Sequence, residues 1–391
     1  MRIVHSADWH VGRLWKSISR LDETARVLDS LSEFLEREKI DLLLVAGDVF
    51  DTNNPGADAE QLVFQFFRRL GEKKIPAVVI AGNHDSPGRM DAYGTLADLA
   101  GVHLIGRPRL AENGGVIELP TACGEKAVVA SLPFAAPGVF VANLELGGDA
   151  SNARSLYAEK FQQAAAYLAR SFRPDSVNLF MAHSHLEGAL LGNSERQVHL
   201  GEEWTAKPQT LPEQAQYVAL GHIHRPQRMD KAPIPTEYAG SILQLDFGEA
   251  GQAKHFVVVD VQPGREAKID HVPYQGGRAL LDLKVTLPEL EARHEEFQAA
   301  GWLRVSVVHD EPVPDLARKV RQQLGNALVV RLEPAVLGPP READVAEDMA
   351  RALSRKRPVE MYRDFHERQY QRLPEAAVEE AFQKLYEECE D

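Results

Sequence analysis

Cysteine is nearly absent from this chain. Cys123 and Cys389 are the two among 391 residues, and their wide separation suggests no disulfide framework. No apolar stretch approaches a membrane span, and Met1 leads straight into an apolar run without a basic-then-apolar layout. These absences point to a cytoplasmic protein with no membrane partner. Positive charge is in deficit, the formal net charge being −14. A lone, non-specific DNA binder draws its affinity from phosphate neutralisation and would need the opposite sign. A nucleic-acid enzyme is not excluded, because bound divalent cations reverse the field locally and a partner chain can supply basic surface. No Gly-x-x-x-x-Gly-Lys-Ser/Thr loop occurs, so the chain carries no phosphate-cradling loop of that type. Internal repeats and low-complexity tracts are lacking too.

The composition is that of a soluble globular protein, 44% apolar and 26% charged. The length exceeds one ordinary core, so two or three domains are expected. From Met1 to about Pro273, short apolar runs alternate with amphipathic helices. Leu21–Lys39 places Leu21, Ala25, Leu28, Leu31 and Leu35 on one face. Asp58–Leu70 has an acidic N-cap and is followed by Gly71, read as its stop. Tyr157–Arg173 is a third helix, ended by Pro174. Val116–Leu119 and Lys126–Phe134 read as a hairpin-like pair, and Ser241–Phe247 with His255–Val261 as adjacent antiparallel strands.

Gln275-Gly276-Gly277 marks a boundary, dividing a domain over 1–274 from a small α/β unit over 278–336. In the latter, strands at Ala279–Val285, Leu303–Val308 and Leu328–Leu332 are separated by helices near Glu289–Ala300 and Asp315–Leu324. Leu337-Gly338-Pro339-Pro340 breaks the chain again. A charged helical segment over 341–391 follows, with a basic cluster at Arg351, Arg355, Lys356 and Arg357.

What is present and informative is a set of five apolar runs that each stop on a metal-ligand type of residue. Arg2–Ala7 ends in Asp8-Trp9-His10 and Asp41–Ala46 in Gly47-Asp48. Ala77–Ala81 ends in Gly82-Asn83-His84-Asp85, Val177–Ala182 in His183, and Tyr217–Leu220 in Gly221-His222-Ile223-His224. Runs this short and rich in Val, Ile and Leu read as buried strands. Open α/β sheets bind ligands beyond the carboxyl ends of their strands. Asp8, His10, Asp48, Asn83, His183, His222 and His224 are therefore expected to converge at one sheet edge as a two-metal centre.

Carboxylate, imidazole and amide ligands suit Mn²⁺, Fe²⁺ or Zn²⁺, and the lack of a nearby cysteine disfavours a structural zinc site. Asp8 and His10 project to one side of an extended segment, and His222 and His224 repeat that geometry. Asp48 is the candidate bridge, since one carboxylate between two cations holds both at close range. Gly47, Gly82 and Gly221 precede ligands where the chain must turn sharply out of a strand.

Taken in order, Asp-x-His, Gly-Asp-x-x-Asp, Gly-Asn-His-Asp, a His, and Gly-His-x-His resemble the motif series of the calcineurin-like metallophosphoesterases. Within that superfamily the sequence is most similar to the SbcD family, bacterial nuclease subunits related to the eukaryotic double-strand-break repair nuclease. His5-Ser6-Ala7-Asp8-Trp9-His10, Gly47-Asp48-Val49-Phe50-Asp51-Thr52 and Gly82-Asn83-His84-Asp85-Ser86 carry the resemblance. Gly240-Ser241 and Phe247-Gly248-Glu249 extend it, and it covers nearly the whole chain.

The resemblance implies a four-layer αββα sandwich with a small α/β cap and a C-terminal helical tail. It implies one metal on Asp8, His10, Asp48 and His224 and another on Asp48, Asn83, His183 and His222, two Mn²⁺ being the expectation. His84 would stand beside the scissile phosphate, stabilising the transition state or protonating the leaving oxygen. His183 is taken because it directly follows its apolar run, with His185 projecting to the same side as a rival. Asp51 stands where some relatives carry a nucleic-acid-contacting histidine, and is read as ordering its loop.

His5 reads as a hydrogen-bonded core residue and Trp9 as packing in the floor of the site. His103, His199, His255, His271, His294, His309 and His366 read as surface groups.

The function implied is Mn²⁺-dependent hydrolysis of DNA phosphodiesters, exonucleolytic on duplex ends and endonucleolytic on hairpins or single strands, beside an SbcC-type coiled-coil ATPase. Val378, Ala381, Phe382, Leu385 and Tyr386, preceded by Met361, Tyr362 and Phe365, form apolar stripes. They would dock on the ATPase or pack on their own domain. Leu62, Val63, Phe66, Phe67 and Leu70 share a broad face that family members place near a homodimer interface. A free-standing phosphoesterase acting on nucleotides or phosphoproteins, and a non-catalytic scaffold of the same fold, remain alternatives.

Overall fold

The computed structural model describes residues 1–15, 18–135, 139, 153–192, 194–195, 205–309 and 315–334, with 363, 366, 373, 374 and 378. Met1–Val308 and Val313–Leu332 form one compact unit, and His309–Pro312 with Glu333–Asp391 a second. The stripes expected in the tail lie outside the described residues apart from Val378, as do the basic cluster and His199.

Alternation within single strands builds the layers. Along β1 (Arg2–Ser6), Ile3 and Val4 point to opposite faces, and along β2 (Leu42–Ala46), Leu42, Leu44 and Ala46 oppose Leu43 and Val45. These continue with β3 (Ala77–Ile80) and β4 (Val102–Ile105) as parallel neighbours. A second sheet contains β5 (Val116–Pro120), β6 (Lys126–Leu132), β7 (Val177–His183), β8 (Tyr217–Gly221), β9 (Gln227–Arg228) and β10 (Thr236–Tyr238), in the order β9-β10-β8-β7-β6-β5. The first is completed by β11 (His255–Asp260) and β12 (Lys268–Pro273), in the order β12-β11-β1-β2-β3-β4.

One core lies between the sheets, where Ile3, Leu44, Ile80, Val129, Leu179 and Ala219 pack together. The outer face of the first sheet, through Val4, Leu43 and Val79, meets Leu28 and Leu31 of helix α1 (Leu21–Arg37) and Val63 and Phe66 of α2 (Ala57–Lys73). The short helix α3 (Pro87–Ala97) adds Met90 to that core. The outer face of the second sheet buries Phe161 and Ala165 of α4 (Ala153–Leu168). The result is an αββα sandwich. β1, β2 and β3 run parallel, as do β6, β7 and β8, so within each sheet the carboxyl ends of these strands share one edge.

The small α/β element orders β13 (Leu280–Thr286), β14 (Trp302–His309) and β15 (Ala327–Pro334) around Val285, Leu290, Val305 and Val320. It meets the sandwich at Glu23 on α1. That carboxylate accepts from Trp302 Nε1 at 2.7 Å and from the Arg278 amide at 2.9 Å.

Four local expectations need correction. α2 runs through Gly71 to Lys73, and Lys74 with φ 54° ends it; a Cβ on Gly71 would sit 2.8 Å from that of Ala100, so close packing keeps the glycine. Ser241–Phe247 is not a strand: the segment leads into a 3₁₀ turn at Phe247–Glu249, capped by Asp246. The expected helix Glu289–Ala300 breaks at Arg293 (φ −118°, ψ 19°) into Leu287–Ala292 and His294–Ala299. His255 is half-buried, its ring 4.5 Å from that of His271.

Candidate metal centre

The chain leaves three of these strands by turning left-handed. Asp8 (φ 49°), His10 (φ 46°), Asp48 (φ 49°) and His222 (φ 97°) all occupy positive φ, a region that costs a non-glycine residue roughly 1–3 kcal/mol and clusters at functional sites. The turns are pinned to one another, with Asp8 N donating to Gly47 O at 3.0 Å and His10 N to Asp48 O at 3.0 Å. Of the three glycines before candidate ligands, Gly47 alone has positive φ, at 93°. Gly82 and Gly221 serve close approach, since a Cβ would meet Asp48 Oδ1 at 2.1 Å and Ala46 O at 1.9 Å respectively.

These turns bring all seven expected side chains together. One ligand atom from each of Asp8, His10, Asp48 and His224 lies within 4.8 Å of the others. Asn83 Oδ1 is 2.9 Å from His183 Nε2 and 2.8 Å from His222 Nδ1. Asp48 stands between the two groups, Oδ2 being 3.6 Å from His10 Nε2 and 3.5 Å from His183 Nε2. Its Oδ1 accepts the His84 amide at 2.8 Å. His84 turns its ring edge-on to His10, centroids 4.6 Å apart, and its Nδ1 donates to Asp51 O at 2.7 Å. His185, the rival to His183, has Nδ1 3.4 Å from the Thr205 hydroxyl.

Burial sets the electrostatics. Asp8, His10, Asp48, His183, His222 and His224 are all at most 2% exposed. Burial pushes the Asp8 carboxyl up to about 6 and the His10 imidazole down to about 3. Burial would also raise Asp48, but the charge of His183 and hydrogen bonding to it hold it well below the carboxylate range. His183 is raised to about 9, the nearby Asp48 and Asp8 carboxylates outweighing burial. His222 falls well below normal through burial and the neighbouring His183.

The donor set fits divalent cations. Asp8 Oδ2 and His222 Nε2 are buried without a hydrogen-bond partner, a costly condition that coordination relieves. The carboxylates of Asp8, Asp48, Glu195 and Glu249 are buried here, against the buried ammonium of Lys254 and the imidazolium of His183. Such an excess of negative charge calls for cations.

Several supporting residues make contacts that local spacing does not report. Asp51 Oδ1 lies 3.2 Å from His10 Nδ1 and 3.2 Å from Arg13, so it orients that ring. Asp85 accepts the amides of Val49, Phe50 and Gly82, tying together two of the turns. Glu249 and Lys254 lie behind His224. Asp85 and Glu249 sit inside the motifs that carry the family resemblance, which is the signal that marks them. Trp9 packs edge-on to Phe66, centroids 5.2 Å apart, and donates to Ser6 Oγ at 2.7 Å. His5 Nδ1 lies 2.8 Å from the Tyr217 hydroxyl in the core.

Comparison with known proteins places this geometry. Residues 1–226 match the family described as calcineurin-like phosphoesterase. Residues 277–370 match the SbcD C-terminal family, described as type 5 capsule protein repressor C-terminal domain. The SbcD subunit of the Bacillus subtilis SbcCD nuclease is 40% identical over 285 residues, covering 73% of this chain and 72% of its own. The Rhodobacter capsulatus protein of the same name is 29% identical over 386 residues, 93% of each chain. That of Escherichia coli K12 is 30% identical over 344 residues, 85% of this chain and 84% of its own. Among the described residues no helix is long and apolar enough to cross a membrane.

Proposed function

This chain belongs to the calcineurin-like phosphoesterases and, within them, to the SbcD subunits of SbcCD nucleases, and from that premise we propose that it is the DNA-hydrolysing subunit of an SbcC–SbcD-type complex. The observation that carries the reading is the Asp48 carboxylate set between His10 and His183, at 3.6 and 3.5 Å. Asp8, His10, Asp48 and His224 would hold one cation and Asp48, Asn83, His183 and His222 the other, Mn²⁺ being the expected ion. Two such cations activate water and neutralise charge on the phosphate undergoing displacement.

The protein's own groups do the rest. His84 is not a ligand in this scheme. Its Nδ1–H is held by the Asp51 carbonyl, which makes Nε2 the atom that faces proton exchange. From there it would stabilise the charged transition state or protonate the leaving oxygen. Asp51 keeps the His10 ring and the His84 ring in register with each other, through its carboxylate and its carbonyl.

DNA, an SbcC-type ATPase and a second copy of the chain are the partners in this reading. The segment 341–391, with Phe382 and Leu385, is the proposed ATPase contact, the 278–336 element the cap, and α2 a proposed dimer surface through the side away from Val63, Phe66, Phe67 and Leu70, which are buried in the chain's own core. The deciding assay is Mn²⁺-dependent cleavage of hairpin DNA against a small chromogenic phosphodiester, with and without the ATPase. Cleavage of the small ester with none of DNA under either condition would overturn the nuclease reading. Truncation after Gly338 should abolish recovery of the ATPase in a pull-down while leaving Mn²⁺ binding intact.

A further inference from the structure

His224 is backed by a buried polar chain that ligation alone does not require. The Ser194 hydroxyl bridges His224 Nδ1 and Glu249 Oε1, whose direct separation is 3.6 Å. Glu249 Oε2 accepts Lys254 Nζ at 2.8 Å and the Leu245 amide at 3.0 Å. Lys254 Nζ also donates to the His224 carbonyl at 2.7 Å, so one lysine grips both the carboxylate and the backbone of the residue it supports. Glu249 is 0% exposed and Lys254 9%. On the other side of the His224 amide, Glu195 Oε1 accepts its N–H at 3.0 Å.

The direction of the chain follows from proton counting. An ionised carboxylate only accepts, so the single Ser194 proton goes to Glu249. The Ser194 oxygen must then accept from His224, which places the imidazole proton on Nδ1. The Nε2 lone pair is left facing Asp8, His10 and Asp48. A ring held by a carboxylate behind it has both orientation and tautomer fixed, the usual outer support of a metal-binding histidine.

We propose that Glu249, acting through the Ser194 hydroxyl and locked by Lys254, is a positioning residue that fixes His224 with Nε2 presented to the cation it shares with Asp8, His10 and Asp48. The proposal rests on the two-metal reading above, but it makes a claim about the imidazole that can be read before metal is added. Glutamine at 249 would invert the relay. Its amide N–H₂ can donate to the Ser194 oxygen, the serine proton then turns to His224 Nδ1, and the imidazole proton moves to Nε2.

The test is long-range ¹H–¹⁵N correlation of the histidine rings in the EDTA-treated full chain, followed by Mn²⁺ titration calorimetry. In the wild type His224 should carry its proton on Nδ1. Glu249→Gln should move it to Nε2 and weaken one Mn²⁺ binding event about 10–100-fold, leaving the other within about twofold. Ser194→Ala should weaken the same event and Ser194→Thr restore it, which keeps the test decisive if Glu249→Gln fails to fold. An unchanged His224 tautomer in Glu249→Gln, or Mn²⁺ binding by Ser194→Ala equal to wild type, would overturn the proposal. If the wild type binds no Mn²⁺ while Glu249→Gln still moves the His224 proton from Nδ1 to Nε2, the positioning role stands and the result counts against the metal reading.

Discussion

The Nε2 atoms of His10 and His224 face each other at 3.0 Å although the residues are 214 positions apart in sequence. Neither ring can turn away, because Asp51 holds the Nδ1 of one and Ser194 that of the other. With both protons on Nδ1, two lone pairs oppose each other in a buried site. Protonating His10 is no relief, since burial drives its pKa down to about 3. A cation between the rings resolves the conflict. EDTA treatment should therefore lower the melting temperature, and Mn²⁺ should restore it with a concentration dependence. At 100 times the dissociation constant, a ligand that binds only the folded state adds about 2.7 kcal/mol. A melting temperature indifferent to Mn²⁺ and EDTA would count against the site.

Asp48→Ala should harm metal binding more than Asp8→Ala. Asp48 Oδ2 reaches both His10 and His183, while Asp8 lies with His10, Asp48 and His224. Calorimetry with Mn²⁺ should show two weakened events for the first variant and mainly one for the second. Equal effects confined to a single event would refute the bridging role.

His84→Gln should lower the rate of cleavage by about 10²–10⁴-fold, the usual weight of a positioned acid or base, with both Mn²⁺ equivalents retained. Its Nδ1 is held by a backbone carbonyl, a hydrogen bond that a glutamine N–H can replace, so the fold loses only the edge-on packing of the ring on His10. Elemental analysis of the purified variant checks the metal content. Loss of one equivalent would make His84 a ligand.

The site was legible because its candidate ligands follow apolar runs, but the expected single sheet edge is two. Three of the endings belong to the first sheet and two to the second, and the edges meet where His183 Nδ1 reaches Ala46 O. The supports were less legible. Asp51 and Glu249 act across gaps of 41 and 25 residues on His10 and His224, and no local spacing reports contacts of that range. The Ser241–Phe247 segment misled because it is apolar and short. Its Leu245 amide instead serves the Glu249 carboxylate, and its Asp246 and Phe247 carbonyls accept the bonds of a 3₁₀ turn. Gly71 misled in the opposite direction, since its small size answers a neighbouring backbone and not a helix end.

His5 should make the protein acid-sensitive. Burial between the sheets pushes its pKa down to about 3, below the unfolded value of about 6.5. The stability it contributes is fully present above the unfolded pKa and is lost as pH falls from there towards the folded pKa, because the unfolded chain takes up the proton. At pH 5 the loss is about 2 kcal/mol. His5→Gln keeps a partner for the Tyr217 hydroxyl and removes the titration. Urea unfolding in EDTA at pH 5 and pH 7 should show a gap between the two pH values that is smaller in the variant by about that amount. An identical gap in both proteins would show that His5 does not titrate on unfolding.

Glu23 should decide whether the small α/β element stays seated on α1. Its carboxylate pairs with Arg20 at 2.8 Å, and both side chains are at most 5% exposed. The same two oxygens receive Trp302 Nε1 and the Arg278 amide. Removing one member of a buried pair leaves the other charge uncompensated, at a cost of about 3–5 kcal/mol. Glu23→Ala should therefore destabilise by that order and open the stretch around Gly276 and Gly277 to protease. The exposed Arg293–Glu289 pair, broken by Glu289→Ala, should cost no more than about 1 kcal/mol. Mn²⁺ titration should be unchanged in Glu23→Ala, because none of the candidate ligands contacts that carboxylate. If proteolysis around Gly276 is no faster than in the wild type, the element is held by its apolar contacts through Leu280, Leu328 and Phe247, and the buried ion pair is secondary.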